Sequence, residues 1–526
     1  MIQIEALARS MKSTLENKVC ILAAGRGSRC DVTSGLHKAL LPINNRPMIS
    51  HIFDCIPSSF GIVIAIGHNS EQLRTYIDNV HGGREITFVE VDNYDGPGSG
   101  PGLSLLQCRG NLQCPFIFMP VDTYTPGNVF GKIDKNWVGA VKPTIEDSAL
   151  YCMISGDEHV DEIGYHDGEY IFNGIAGVLD YKEFWKNLSN KNLIKNEHQV
   201  INGLKDLGNL NVNVFDNFYD TGNTKSYLKV RSLLSNEIVL PKTSECIYID
   251  NGKVVKYFSD REKLTLRVRR ANSLSKFVPG VNKINDNMYI YDYIDATLLS
   301  NVTSEEVLDN FLIFLSKDFH DKQLDRDEEF LSNCKAMYFD KTSKRADMFA
   351  GGELDAISII NGVRVLSIKD ILSQVQWDDI LDKAIATNIH GDLQPENILF
   401  KDKFILIDWR ESFGSSISCG DLYYDLSKLY HALLINGTYV LNNNYSVLID
   451  KNEASLTYSI KSNLLVLLDK LERFCVINNY DWKHVSLLGI LHYINIAPFY
   501  RDYDDGRYSK FIFLLGKLLL TKHLRD

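Results

Sequence analysis

A chain of 526 residues is more than one ordinary hydrophobic core organises, so two domains are expected. Its 45% hydrophobic and 23% charged content belongs to a folded globular protein and excludes a disordered one. A formal net charge of -11 speaks against a general nucleic-acid binder, whose footprint is basic, while leaving room for locally basic phosphate sites.

Met1 to Lys18 mixes polar and apolar residues and does not read as a secretory signal. No apolar run approaches the ~20 residues that cross a bilayer. Phe511 to Leu520, interrupted by Lys517, reads as a buried helix. The ten cysteines show no CxxC spacing and no Cys/His cluster, which favours neither zinc nor disulfides and predicts a cytoplasmic protein with reduced thiols.

In chain order, Val19-Cys20-Ile21-Leu22 is an apolar run ending in Ala23-Ala24-Gly25, the pattern of a buried parallel strand. Further runs at 62–66, 86–91 and 116–119 alternate with helical stretches such as 69–80, which predicts an α/β sheet with its site at the carboxyl ends of the strands. Gly25-Arg26-Gly27 falls at such an end, where glycines let backbone N–H groups approach phosphate and Arg29 and Lys38 supply positive charge. The dinucleotide fingerprint fails, because its third glycine position is Cys30. Gly96 to Gly102 is a Gly/Pro segment that alone reads as a turn. Phe116 to Asp122 is a strand ending in a carboxylate, a position that also suits a helix cap or turn.

Together, Leu22 to Arg29, His37 to Pro42, Arg46-Pro47-Met48, the glycine segment, Asp122 and Tyr219-Asp220-Thr221-Gly222-Asn223 resemble the GT-A-like nucleotidyltransferases. These include sugar-1-phosphate nucleotidyltransferases and CTP:phosphocholine cytidylyltransferases; Ser28 and the His37-Lys38 pair lie nearer the phosphocholine branch. The resemblance implies a Rossmann-like mixed sheet, with nucleotide contacts from Leu22, Ala24, Gly25, Gly27, Gly98 and Gly100. It implies that Arg29 and Lys38 stabilise the transferring phosphoryl and that Asp122 and Asp220 hold Mg²⁺. It also puts Asn173 in an acceptor pocket. Lys142 is a candidate contact for the incoming phosphate and reads equally well as a solvated lysine.

The transferase pattern runs out near Val230 to Leu233, and a hairpin with Asp250-Asn251-Gly252 at its turn opens a new segment. The expected domains are 1–235 and 244–526. Further on, His390-Gly391-Asp392 to Asn397 reproduces the kinase spacing of an aspartate, four residues and an asparagine, and Phe404 to Ile407 is a strand leading into Asp408-Trp409.

This second constellation resembles the aminoglycoside phosphotransferase and choline kinase superfamily, implying an α+β two-lobed, protein-kinase-like domain. By that resemblance Asp392 takes the substrate hydroxyl proton, Asn397 and Asp408 hold Mg²⁺ on ATP, and Lys256 contacts the nucleotide phosphates. Glu262 is a candidate partner for Lys256, and equally a first-turn glutamate suited to a helix dipole. Asp425 reads as a loop buttress. Arg410 stands where choline kinases would carry an acidic residue and suits a polyol, sugar or carboxylate-bearing substrate. The stretch 333–345 carries Tyr, Lys and Arg with no evident role.

The two resemblances fit one pathway. A kinase makes a phosphomonoester from choline, ethanolamine or a polyol with ATP. A transferase then couples that product to a nucleotide, CTP being favoured, for a cell-surface glycan or lipid precursor. A sugar kinase joined to a sugar-1-phosphate nucleotidyltransferase is the alternative. A transferase with a non-catalytic kinase-like module is a reading of another class.

Overall fold

The computed structural model describes residues 17–30, 32–127, 130–143, 151–190, 193–234, 243–320 and 322–525. Two compact units emerge, the first holding the described residues up to Leu234 together with the hairpin up to Ser259, the second those from Asp260 onward. The hairpin Glu245–Asp250 and Lys253–Phe258, expected to open the C-terminal domain, thus belongs by its packing to the first unit.

The first unit is a mixed α/β, Rossmann-like sheet of nine strands among the described residues. Lys18–Ala23 runs at its centre, parallel to Gly61–Ile66 on one side and Phe116–Pro120 on the other. After Lys18 the strand is apolar and buried from Val19 to Ala23, as the central strand of a parallel sheet requires. Beyond Phe116–Pro120 the sheet turns antiparallel through Tyr170–Val178. That strand slips register between Phe172 and Ala176 against Asn136–Val141, a bulge that places Asn173 and Gly174 beside the end of Phe116–Pro120. A two-stranded ribbon, Thr123–Tyr124 with Tyr219–Asp220, closes this edge and brings Asp122 and Asp220 together from 98 residues apart in sequence.

The second unit mixes small sheets with a helical core. The helices Leu422–Leu434, Trp482–Ile496 and Arg507–His523 supply much of its apolar interior. Phe511 to Leu520 is buried helix, as expected. Lys517 inside it is fully buried and satisfied, donating to the Asp355 and Ile357 carbonyls at 2.7 and 3.1 Å with the Asp355 carboxylate 3.4 Å away. Two short π-helical turns, Leu315–Phe319 and Ala336–Asp340, interrupt the helices of this unit. Such turns rotate the next stretch of chain about the helix axis; the first leads into His320, 3.1 Å from Asp425, and the second into Lys341, which reaches the Tyr424 hydroxyl. Among the described residues, no helix is long and apolar enough to cross a membrane.

Candidate functional site

In the first unit, Lys18–Ala23 delivers the chain into a loop whose geometry depends on glycine. Gly27 sits at φ +66°, and a Cβ there would lie 3.2 Å from the Lys38 side chain, so only glycine lets the loop close over that lysine. Leu22 and Ala24 are buried at the strand end, and the Ala24 carbonyl accepts a hydrogen bond from the His68 backbone N–H at 3.0 Å. Gly25 has open space beside it, as a phosphate cradle requires. Gly96, Gly98 and Gly100 all have positive φ, and a Cβ on Gly100 would strike the His198 carbonyl at 2.8 Å. Arg26 spans the two glycine segments by pairing with Asp95 at 2.7 Å.

Lys38 starts a short helical turn, Lys38–Leu40, capped by His37, whose Nδ1 accepts from the Ala39 N–H at 3.1 Å. The other ring nitrogen, Nε2, lies 3.0 Å from the Ala23 carbonyl. Burial, then the Lys38 charge, pushes the His37 pKa down to about 3, so the ring is neutral and donates from Nε2. His37 thereby fastens the turn carrying Lys38 to the end of the central strand.

Lys38 Nζ lies 3.2 Å from Asp122 Oδ2. Burial raises the Asp122 carboxyl, but the Lys38 ammonium and its hydrogen bond, with a contribution from Arg29, outweigh burial and hold it below the usual carboxylate range. Asp220 Oδ1 accepts from the Gly222 N–H at 2.7 Å, and Thr221 donates through both its backbone N–H and its hydroxyl to the Asp122 carbonyl, at 2.9 and 3.1 Å. A Cβ on Gly222 would lie 2.9 Å from Asp220 Oδ1 and 3.3 Å from Asp122 Oδ2. The two carboxylates therefore converge on one small space that glycine keeps clear. The Tyr151 hydroxyl donates to Asp220 Oδ2 at 2.6 Å. Two hard carboxylate donors suit Mg²⁺, since that ion keeps water and phosphate as its remaining ligands. Arg29 is exposed at the rim, and its carbonyl accepts from the Thr224 N–H at 3.0 Å.

Asn173 is buried in the bulge; its Oδ1 accepts from the Ile175 N–H at 2.9 Å, while Nδ2 has no hydrogen-bond partner among the described residues. Lys142 is exposed just past Asn136–Val141 and makes no hydrogen bond or ion pair with the Lys38–Asp122 pair. Sequence patterns did not point to the hairpin as part of this site. Tyr248 donates to the Leu40 carbonyl at 2.6 Å and Tyr257 to the Ser34 carbonyl at 2.8 Å, so both tyrosines brace the loop that bears Lys38. Asp250 at the hairpin turn receives Arg46 at 3.0 Å and the Tyr76 hydroxyl at 3.1 Å, with His81 Nε2 at 3.2 Å. Lys256 is buried on the same hairpin, in the first unit, whereas Glu262 begins the helix Arg261–Ser273 of the second.

The second unit holds His390 to Asn397 in a tight local frame. Asp425, fully buried, accepts from the backbone N–H groups of His390 and Gly391, each at 2.7 Å, and lies 3.1 Å from His320 Nε2. Gly391 has φ +82°, and a Cβ there would lie 2.7 Å from the Arg410 Cβ. His390 Nε2 lies 2.9 Å from the Ile407 carbonyl, tying the loop to the strand that leads into Asp408. Asn397 Nδ2 donates to the Asp392 carbonyl at 2.9 Å, which leaves Oδ1 as its only ligand atom for a cation. Asp392 Oδ1 pairs with Lys428 at 2.8 Å.

Asp408 adopts φ +59°, an uncommon backbone for a residue other than glycine, and its Oδ1 meets Arg267 at 2.5 Å. Arg267 and Arg270 come from Arg261–Ser273. Arg270 donates to the Ile389 and Arg410 carbonyls at 2.6 and 3.1 Å, and the Arg267 carbonyl accepts from Trp409 Nε1 at 2.9 Å. Asp392, Asn397 and Asp408 thus lie along one hydrogen-bonded loop system, Asn397 joined to the Asp392 carbonyl and the Asn397 carbonyl to the Ile407 N–H. The stretch 333–345 acquires a place here: Tyr338 donates to Asp421 at 2.6 Å, and Lys341 reaches the Tyr424 hydroxyl at 3.2 Å.

Residues 19–131 match the MobA-like NTP transferase domain family. The bifunctional protein GlmU of Cupriavidus pinatubonensis is 35% identical over 95 residues, 18% of this chain and 20% of that protein. The bifunctional protein GlmU of Priestia megaterium is 32% identical over 59 residues, 11% of this chain and 84% of that sequence. The chain spans about a fifth of the length of the first of these relatives. Among solved structures, the CTP:phosphocholine cytidylyltransferase LicC of Streptococcus pneumoniae is 20% identical, covering 42% of this chain and 100% of that chain with a TM-score of 0.34. The chain thus carries an N-terminal MobA-like NTP transferase domain.

Proposed function

We propose that the chain is a bifunctional enzyme. In this reading the second unit uses ATP to phosphorylate a hydroxyl on a small molecule. The first unit then joins that phosphomonoester to a nucleotide, with CTP the favoured donor. The phosphomonoester oxygen attacks the α-phosphorus, the bond from the α-phosphorus to the pyrophosphate oxygen breaks, and pyrophosphate leaves. Asp122 and Asp220 hold Mg²⁺, which neutralises triphosphate charge when bound. Lys38 and Arg29 stabilise the charge on the transferring group, and the glycine segments orient the nucleotide. The observation that carries the reading is the convergence of Lys38, Asp122 and Asp220 at the end of the central strand, within a segment of MobA-like NTP transferase type.

The kinase half is supported by the spacing of Asp392, Asn397 and Asp408 and by the buried support under their loop. The pairing of Arg267 with Asp408 favours a second reading, a binding module without phosphoryl transfer, since that carboxylate would have to leave its partner to meet a metal. Pyrophosphate release from the full chain, with Mg²⁺, CTP, ATP and a panel of unphosphorylated alcohols and sugars, tests both. Release that needs ATP and one acceptor supports the two-step enzyme. Release only with a supplied phosphomonoester leaves the transferase and refutes the kinase half.

A further inference from the structure

The His390–Asn397 loop is bordered by an accumulation of positive charge unusual for so acidic a chain. Lys341 and Arg410 both point at the Tyr424 hydroxyl, at 3.2 and 3.4 Å. Lys341 Nζ also lies 5.4 Å from the centre of the Tyr424 ring. Arg345 follows Lys341 by one helical turn, donates to the Asn495 carbonyl at 2.8 Å and stacks over Phe499 at 4.6 Å. On the other side Lys428, only 7% exposed, pairs with Asp392. Lys341 and Arg410 thus meet at one phenol, Arg345 and Lys428 act on it electrostatically, and Asp392 is the single carboxylate the four meet within ion-pairing distance. Among the described residues, Lys341, Arg345 and Arg410 have no carboxylate within 4 Å.

The charges act on one another. Burial would raise the Tyr424 hydroxyl, but Lys341, Arg410 and Lys428 together bring it down to about 8. Burial, with the neighbouring cations Arg410, Arg345 and Lys428 adding to it, brings Lys341 down to about 8 as well. Holding like charges together away from water costs stability unless an anion neutralises them. The fold nonetheless builds the cluster deliberately: a π-helical turn ends at Asp340 and delivers Lys341, and Gly391 lets the Arg410 stem approach the loop.

We infer that the acceptor phosphorylated at Asp392 is itself an anion, a hydroxyl compound bearing a carboxylate or phosphate that is held by Lys341, Arg345 and Arg410. The inference rests on the kinase reading proposed above. The acceptor hydroxyl oxygen forms its bond to the γ-phosphorus as the bond from that phosphorus to ADP breaks, and the hydroxyl proton passes to Asp392. A quaternary ammonium such as choline would meet the wrong sign of charge here, because cation recognition needs aromatic faces and carboxylates.

The test uses the full chain and follows ADP formation from MgATP with glycerol, glycerate, glycerol phosphate, ethanolamine and choline, CTP being omitted. The expected result is turnover at least about a hundredfold better, by kcat/KM, for an anionic acceptor than for its neutral or cationic counterpart. Lys341→Gln and Arg345→Gln should each raise the KM for that acceptor about tenfold, with the KM for ATP within twofold of the parent. Turnover of choline or ethanolamine without any gain from acceptor charge overturns the inference and leaves the kinase reading standing. An increase in the ATP KM instead assigns the cluster to the nucleotide's phosphates and also overturns it. If no acceptor yields ADP, sulfate serves as the probe in thermal melts. Protection that disappears in both variants and survives Asp392→Asn keeps the anion site and refutes the kinase. Absence of protection refutes both.

Discussion

The two units assemble phosphate chemistry in opposite ways. In the first, the site is gathered from distant stretches of chain: Lys38 from a loop after the central strand, Asp122 and Asp220 from a ribbon, and Tyr248 and Tyr257 from a hairpin some 200 residues along. In the second, one short loop carries Asp392 and Asn397 and is held from beneath by a single buried carboxylate, Asp425. A gathered site depends on its sheet and on residues that fix loops. A local site depends on the few buried polar groups that fix its backbone. Damage should therefore spread differently in the two.

Removing one carboxylate from each site should separate the two units most clearly. Asp122→Asn should lower nucleotidyl transfer by at least about a hundredfold, because it removes a charge placed for the transferring phosphates. ATP-dependent phosphorylation should be unchanged. Asp392→Asn should do the reverse. Separate assays on each full-length variant, one for pyrophosphate and one for ADP, decide the matter. Loss of both activities from either change would mean the sites are not independent.

Next in size is Asp425→Asn. An amide can accept from only one of the two backbone N–H groups that the carboxylate now satisfies, and the other would face an NH₂ group. A buried donor left unsatisfied costs about 1–3 kcal/mol, and more when the lost acceptor was charged. The expected outcome is a clear fall in the melting temperature with phosphorylation lost and transfer retained at temperatures below the melt. A melt unchanged from the parent would show that the loop does not lean on Asp425.

The same difference between a gathered and a local site governs what is legible in the sequence. Strand ends, glycine segments and the Asp392–Asn397 spacing were legible because each is local and its chemistry demands particular residue types. The convergence of Asp122 and Asp220 was legible only through resemblance to a family, since nothing in periodicity links positions 98 apart. The hairpin tyrosines were not legible, because a tyrosine in a strand looks like core until its hydroxyl is seen to meet a carbonyl. Arg267 reads as one more cation on a charged helix, and its meeting with Asp408 is a tertiary fact. Lys428 did leave a trace: it lies one turn after Asp425 on Leu422–Leu434, so the loop's support and the partner of Asp392 share one helix face.

A smaller effect tests whether the hairpin belongs to the transferase. Tyr248→Phe removes the hydroxyl that meets the Leu40 carbonyl and leaves the ring in place. The net cost of such a bond is about 1 kcal/mol, so the fold should survive. Because Leu40 ends the turn that starts at Lys38, the kcat for nucleotidyl transfer should fall about fivefold with little change in the KM for the nucleotide. Phosphorylation should be untouched. A rise in KM alone would assign Tyr248 to nucleotide binding rather than to placing Lys38.

The smallest effect concerns pH and separates the units by sign. Glu396, beside Asn397, accepts from the Asn436 amide through Oε1, while Oε2 has no hydrogen-bond partner among the described residues. Burial, with Asp392 adding to it, pushes its carboxyl up to about 7; burial likewise pushes Asp421, the acceptor for Tyr338, up to about 6. A carboxyl raised in the folded state binds its proton more tightly there than in the unfolded chain. Its contribution to stability is therefore full below the ordinary carboxylate range and is lost as pH rises through 6 to 7. Asp122 in the first unit is lowered instead, so its contribution is present above the ordinary range and lost toward acid. Melting curves between pH 5 and 8 should show the second unit's transition falling with pH while the first unit's holds. Glu396→Gln, which keeps an acceptor for Asn436 and has no charge to acquire, should flatten part of that fall and leave the part due to Asp421. Parallel pH profiles for parent and variant would mean that Glu396 takes no part in it, and that the local site is not softened by ionisation beneath its own loop.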